Sequence, residues 1–392
     1  MANLEKIDDV TRLSNHVIRV LGQNPGKFTL QGTNTYLLGS QNPYILVDTA
    51  EGLPSYIPVL TTALQDPTNP AQTDVSDIVI SHWHHDHVGG LPSVLALLKQ
   101  LWEARNPGQP YTPPRLHKFP LAQGSQGEHN DTKWNNLPKL LEGLPRELIT
   151  PPTPTATTQE AFHDLSDGQL FKDPINGRTL ARVLHTPGHT VDSISLYIPQ
   201  DRALYTADTV LGHGTAVFED LATYLSCLNR MLHFGTPSAP PPDSSTTEEG
   251  LDLEYVTLYP AHGGVVSNGR DTISTYIKHR LAREAQVLSV LRSPVPAELN
   301  SNNPSSSASA SSSPIPSLAG SSGGAALWST WNIVRTLYKT YPENLWLPAS
   351  RGIDLHLRKL EGEGFVRRMG GEGVETQWRL AVSPAVSPSP SL

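Results

Sequence analysis

The sequence predicts an α/β fold, a four-layer αββα sandwich of two sheets between helices, followed by a small winged-helix-like C-terminal unit. Three observations predict it. Short β-prone runs punctuated by turn residues come in two blocks, each followed by segments of helical period. A histidine-rich turn closes a strand of the first block, and further His and Asp residues stand at strand ends of the second. A stretch dominated by Ser, Pro, Asn, Ala and Gly then separates both blocks from a last segment of two helices and a strand.

In chain order, Val17 to Asp48 alternates VIRVLG, NPGKFTLQGTNTY, LLG and YILVD with turns, which is a meander of strands. Ile78 to Ile80 is an apolar strand running into SHWHHDHVGG, and LPSVLALLKQLW carries apolar residues at helical spacing. The region near 105–160 contains PGQP, PP and PPTPT and reads as surface insertion. A second strand block follows in LSDGQLF, TLARVLHTPGHT, SISLYIP and ALYTAD, then helix FEDLATYLSCLNRML and a second insertion near 236–250. Strand LEYVTLYPAHGG and helix DTISTYIKHRLAREAQVLSVL complete a catalytic domain expected over residues 1–293. Residues 294–325 read as a disordered linker, 326–381 as the winged-helix-like unit, and 382–392 as a tail.

Composition narrows the function classes. Of 392 residues 37% are hydrophobic, and 35 prolines and 30 glycines indicate that a compact core shares the chain with irregular stretches. A net charge of -8 gives no global attraction for phosphate backbones, so nucleic acid would need a local basic patch. The single cysteine, Cys227, makes no internal disulfide and reads as a small buried side chain. No apolar run approaches the ~20 residues of a membrane helix, and MANLEKIDDV has no apolar signal core, so a cytoplasmic location is expected.

The chemistry concentrates in His82-Trp83-His84-His85-Asp86-His87. Four imidazoles and a carboxylate within six residues crowd titratable groups together, whereas a zinc ion takes neutral imidazole and carboxylate as ordinary ligands. His189 in TPGHT, Asp208 ending ALYTAD and His262 after YVTLYP are potential partners at strand ends. With no cysteine cluster, a His/Asp set suggests a hydrolytic site and not a thiolate-bound structural one.

SHWHHDHVGG, TPGHT, YTAD and YPAHG, in this order, resemble the successive motifs of the metallo-β-lactamase superfamily. The resemblance implies two Zn2+ ions: His82, His84 and His189 on the first, Asp86, His87 and His262 on the second, and Asp208 between them. His85 falls at a variable position and is not expected to be a ligand. Asp48 in YILVDTA resembles the strand-end aspartate that supports ligands from behind. Two positions depart from the family pattern, Ala50 and Ala207, where glycine is usual, so either they keep ordinary backbone angles or a neighbouring segment has adapted.

VIRVLGQNPGKFTLQGTNTYLLG and LGHGTAVFEDLATYLSCL resemble the lactamase-β-like 2 group, which spans endoribonucleases and fungal polyketide-releasing thioesterases. His213 in LGHG resembles the thioesterase form. The implied activity is hydrolysis by a hydroxide held between two zincs and oriented by Asp86, with His213 assisting the leaving group, on an acyl-carrier-protein-bound or small-molecule thioester. The alternative is a single-strand endoribonuclease, with Thr33, Asn34 and the C-terminal unit positioning the RNA.

Overall fold

The computed structural model describes residues 4–65, 67–121, 135–152, 161–235, 254–300 and 326–381. The insertion near 236–250, most of the expected linker and the tail lie outside the described residues. The chain divides into two units, Met1–Ile277 and Lys278–Leu392.

In the first unit β1 (Val10–Arg12), β2 (Val17–Leu21), β3 (Asn34–Leu38), β4 (Tyr44–Val47), β5 (Val75–Ile80), β6 (Arg115–Lys118) and β7 (His163–Asp164) form a seven-stranded sheet in chain order. It is antiparallel through β4 and parallel from β4 to β7. The second sheet orders β12 (Thr257–Pro260), β11 (Ala203–Ala207), β10 (Ile194–Ile198), β9 (Thr179–His185) and β8 (Leu170–Lys172), with only β11 and β12 parallel.

Alternation of side chains along each strand builds the layers. Tyr36 and Leu38, Ile45 and Val47, and Val79 face inward and meet Val183, Ile194, Leu196, Ala203 and Tyr205 of the second sheet. Their neighbours Leu37, Leu46, Ile78 and Ile80 face outward, where α1 (Tyr56–Ala63) supplies Tyr56 and Leu60. After the short α2 (His85–Val88), α3 (Leu91–Arg105) adds Val94, Leu95 and Leu98 to the same layer. The expected four-layer order therefore rests on which residue of each apolar strand pair faces the helices.

The stretch near 105–160 is less superficial than its composition suggests. β6 enters the sheet there, and beyond it Leu137 of α4 (Leu137–Glu142), Leu144, Leu148 and Ile149 join the helix-side core. RLHK hides its polar character by pairing: His117 Nε2 lies 2.7 Å from Asp77 Oδ1, and Lys118 forms an ion pair with the buried Asp192. Burying a charge requires such a partner.

α5 (Leu221–His233) starts at Asp220, whose carboxylate accepts from Thr223 N at 2.6 Å, a normal N-cap. Cys227 lies buried on this helix, and burial pushes its thiol up to about 11. The division between the two units falls within α6 (Gly269–Arg292), between Ile277 and Lys278.

The second unit has a core of its own. Val287, Val290 and Leu291 at the end of α6 belong to its core with Ile333 and Val334 of α8 (Thr330–Leu337) and Ile353, Leu357 and Leu360 of α9 (Trp346–Gly362), α7 (Ala297–Asn300) lying between. Its sheet orders β13 (Trp328–Ser329), β15 (Gln377–Leu380) and β14 (Val366–Gly370), with the buried Trp328 and Trp378 paired across it. The sequence pattern runs the second helix of this unit through SRGIDLHLRKLEGEGFVRR, but the helix ends at Gly362 and Val366, Arg367 and Arg368 belong to β14.

Candidate metal centre

Every candidate ligand leaves the C-terminal end of a strand or the loop just after one. β4 and β5 run parallel, as do β11 and β12, so these strand ends share one edge of the sandwich. Asp48 follows β4, His82 and His84 follow β5, Asp86 and His87 lie on α2, Asp208 follows β11 and His262 follows β12. His189 comes from the β9–β10 loop, where Gly188 has φ +132° and an added Cβ would stand 2.5 Å from Tyr224 Cα. Only glycine lets α5 pack that closely behind the ligand loop.

The side chains converge in two groups, His82, His84, His189 and Asp208, and Asp86, His87 and His262. In the first, His82 Nε2 and His84 Nδ1 are 3.0 Å apart, and His189 Nε2 lies 3.2 Å and 3.0 Å from them. In the second, Asp86 Oδ2 is 3.3 Å from both His87 Nε2 and His262 Nε2. Asp208 stands between: Oδ2 is 3.6 Å from His189 Nε2, and Oδ1 is 3.1 Å from His262 Nε2. His85 is exposed and belongs to neither group.

Hydrogen bonds behind the rings settle their tautomers. His189 Nδ1 faces the Val217 carbonyl at 2.7 Å, which only accepts, so that nitrogen carries the proton and Nε2 presents a lone pair. Ser81 Oγ donates to Asp48 Oδ2 at 2.8 Å and so accepts from His82 Nδ1 at 3.0 Å, which bares His82 Nε2 as well. His87 Nδ1 lies 2.8 Å from Asp48 Oδ2, leaving Nε2 aimed at the second group without a hydrogen-bond partner. The bare lone pairs of His82 Nε2 and His189 Nε2, 3.2 Å apart, repel unless a cation sits between them. Two nitrogens ~2.0–2.1 Å from one tetrahedral ion stand ~3.3–3.4 Å apart, close to the separations here. The donors fit a metal ion.

Electrostatics agree. Burial, then the neighbouring His189, holds the His84 ring down to about 3, and burial with three neighbouring rings holds His82 well below the imidazole range. Both are ready as neutral ligands. Burial opposes charge on His262 too, but Asp208 and Asp86 outweigh it and raise its ring to about 9. In the same way Asp86, Asp208 and Asp48 hold His87 well above its ordinary range. The second group thus demands positive charge, which protons supply until a cation displaces them.

Asp48 is the support behind the site. Fully buried, it accepts from Ser81 N at 2.7 Å, Ser81 Oγ at 2.8 Å and Tyr205 OH at 2.5 Å, besides His87. The aspartate expected from the sequence is there, but Ser81 and Tyr205 carried no signal of their own.

Ala50 and Ala207 both adopt the left-handed conformation, φ 59° and 46°. At Ala207 this accompanies the register shift of β11 against β12, from which Asp208 emerges. Left-handed alanine costs ~1–2 kcal/mol. Glycine would remove that cost, but would lose a buried methyl worth ~0.8 kcal/mol and add ~0.4–1 kcal/mol of unfolded-chain freedom. Ala50→Gly and Ala207→Gly should each shift stability by less than ~1 kcal/mol. Urea unfolding midpoints check this, and a change above ~2 kcal/mol would refute the cancellation.

The donors open into a cleft of about 350 Å³ walled by Lys27, Phe28, Leu211, His213 and Val217. His213 is exposed on this wall, as an approach to substrate requires. Phe28, 71% exposed at the tip of the turn bridged by Gly26 and Leu30, was not singled out in the sequence; an aromatic between turn glycines was the available signal. A larger cavity of about 460 Å³ beside α4, lined by Leu141, Leu144 and Ile149, contains none of the candidate ligands.

Residues 28–262 match the metallo-beta-lactamase superfamily, and residues 329–378 match the beta-lactamase associated winged helix domain. The chain is 32% identical to the beta-lactamase-like protein 2 homolog of Drosophila melanogaster, over 92% of this chain and 93% of that protein. It is also 32% identical to the atrochrysone carboxyl ACP thioesterase dmxR1 of Cryptosporiopsis, over 74% of this chain and 67% of the relative. A solved beta-lactamase domain protein from Burkholderia ambifaria shares the fold with TM-score 0.57 at 17% identity, covering 95% and 93% of the two chains. Among the described residues no helix is long and apolar enough to cross a membrane.

Proposed function

Because the chain belongs to the metallo-β-lactamase superfamily, we propose that this metal-dependent hydrolase holds two zinc ions and cleaves an acyl thioester, with an acyl chain on a carrier protein as its substrate. The observation that carries this reading is the pair of donor groups at the floor of a cleft with apolar walls, with Asp208 between them, 3.6 Å from His189 Nε2 and 3.1 Å from His262 Nε2. The thioesterase name of the Cryptosporiopsis relative supports the substrate class. A His/Asp donor set without thiolate suits zinc.

His82, His84 and His189 would hold one ion, Asp86, His87 and His262 the other, and Asp208 both. When bound, the pair supplies a water that ionises near neutral pH and positive charge for the oxygen that becomes negative. Asp86 accepts from the attacking water and aims it at the carbonyl. Phe28, Leu211 and Val217 take the acyl chain and keep bulk water from it. His213 stands exposed on the cleft wall where the departing group leaves and is the side chain there to assist it, although a thiolate needs little such help.

The test gives purified protein an acyl-carrier-protein thioester, a glutathione thioester, a β-lactam and single-stranded RNA side by side, each with and without chelator. The carrier-protein thioester should turn over fastest, stop with chelator and resume when zinc is restored. RNA cleavage with intact thioesters would replace this reading by the endoribonuclease one.

A further inference from the structure

We propose that Thr33 is a positioning residue whose hydroxyl proton, steered by Asn24, fixes the Asp86 carboxylate in the second donor group. The inference rests on the metal-hydrolase reading above.

One contact sets the direction of the whole chain of hydrogen bonds. Thr33 N donates to Asn24 Oδ1 at 2.8 Å. A backbone N–H cannot accept, so the oxygen side of the Asn24 amide is identified and its NH2 is the group 3.0 Å from Thr33 Oγ1. That NH2 only donates, so Thr33 Oγ1 accepts from it. The single hydroxyl proton of Thr33 is left for Asp86 Oδ2, 3.0 Å away. Thr33 is fully buried and Asn24 is 5% exposed, so bulk water does not compete for these groups.

The local backbone is shaped around this relay. Gly32 has φ +137°, and a Cβ there would come within 3.3 Å of Asn24 Oδ1. On the other side Thr33 bridges to His262 as an antiparallel pair, Asn34 N donates to Ala261 O at 2.6 Å, and Asn34 Nδ2 reaches the Pro260 and Gly263 carbonyls at 3.0 Å and 2.9 Å. The segment that orients Asp86 is therefore the one that anchors the His262 turn. Thr33 couples the two residues of the second group that come from distant parts of the chain. It turns Oδ2 toward His87 and His262 and leaves the remainder of the carboxylate, which lines the cleft, for the attacking water.

Stepwise zinc affinity of the full chain, read by competition with a chromophoric chelator, tests this without relying on turnover. Thr33→Val removes the hydroxyl at nearly constant volume. It should weaken the second zinc equivalent ~10–100-fold, the usual effect of losing a group behind a ligand, with the first little changed. With a thioester, kcat should fall and KM stay. Thr33→Ser should restore both. Asn24→Asp probes direction with Thr33 intact: its carboxylate accepts where the amide donated, so the Thr33 proton turns away from Asp86. An added negative charge alone would tighten cation binding, whereas the relay requires the second equivalent to weaken. Circular dichroism melts identify any variant that has lost its fold, and Asn24→Asp then carries the test if Thr33→Val has. The inference is overturned by an unchanged second equivalent in folded Thr33→Val, by Thr33→Ser as damaging as Thr33→Val, or by tighter binding in Asn24→Asp. A wild-type chain that takes up no zinc overturns the hydrolase reading itself.

Discussion

Asp86→Asn lowers kcat on a thioester by at least ~100-fold, by analogy with the loss of one aimed transition-state partner. Burial alone would favour a neutral carboxyl here, but His87 and His262 outweigh it and hold Asp86 ionised well below the usual carboxylate range. Asparagine keeps the shape and can still accept from Thr33, so the fold should survive. What disappears is the one carboxylate of the second group, since Asp208 falls in the first and reaches toward the second only through Oδ1, 3.1 Å from His262 Nε2. The variant should also hold less metal at that group. Steady-state rates with metal analysis check both points. Near-normal turnover by a folded Asp86→Asn protein would refute the role assigned to this carboxylate.

His84→Ala has the other large effect, removal of one corner of the first nitrogen triangle. His84 Nδ1 lies 3.0 Å from both His82 Nε2 and His189 Nε2, so its loss would leave a metal held there with two imidazoles and the Asp208 carboxylate. The ring is neutral at physiological pH, so no deprotonation cost offsets its value as a ligand. The loss of metal affinity should exceed the ~10–100-fold typical of losing a partner behind a ligand, and hydrolysis should fall to background. Metal analysis of dialysed protein beside a thioester assay measures both. Full activity in a dialysed variant that carries no transition metal would refute metal-dependent hydrolysis.

The candidate site was largely legible because its information is local. His82, His84, Asp86 and His87 fall within six residues, and TPGHT, YTAD and YPAHG each place a donor just past a recognisable strand. β6 was not legible, because RLHK between prolines has neither the length nor the apolar pattern of a buried strand. Its His117 and Lys118 are buried by virtue of Asp77 and Asp192, residues remote in sequence. The helix α6 was legible nearly to its end, but not which face its last turns bury, because its polar and apolar residues permit several until Trp328, Ile353 and Leu357 select one.

By itself, then, the sequence determined the strand and helix periods of a four-layer sandwich, the chemical type of the donors and the strand ends that carry them. These follow from side-chain periodicity and turn chemistry within a few residues. Tertiary structure alone decided that Ala50 and Ala207 take left-handed angles, that Ser81 and Tyr205 close around Asp48, and that Asn24 and Thr33 aim a proton at Asp86. Those outcomes depend on charge compensation and close packing between segments far apart in the chain. No local pattern encodes the pairing, because each partner's side chain has an equally good alternative in water until the fold removes it.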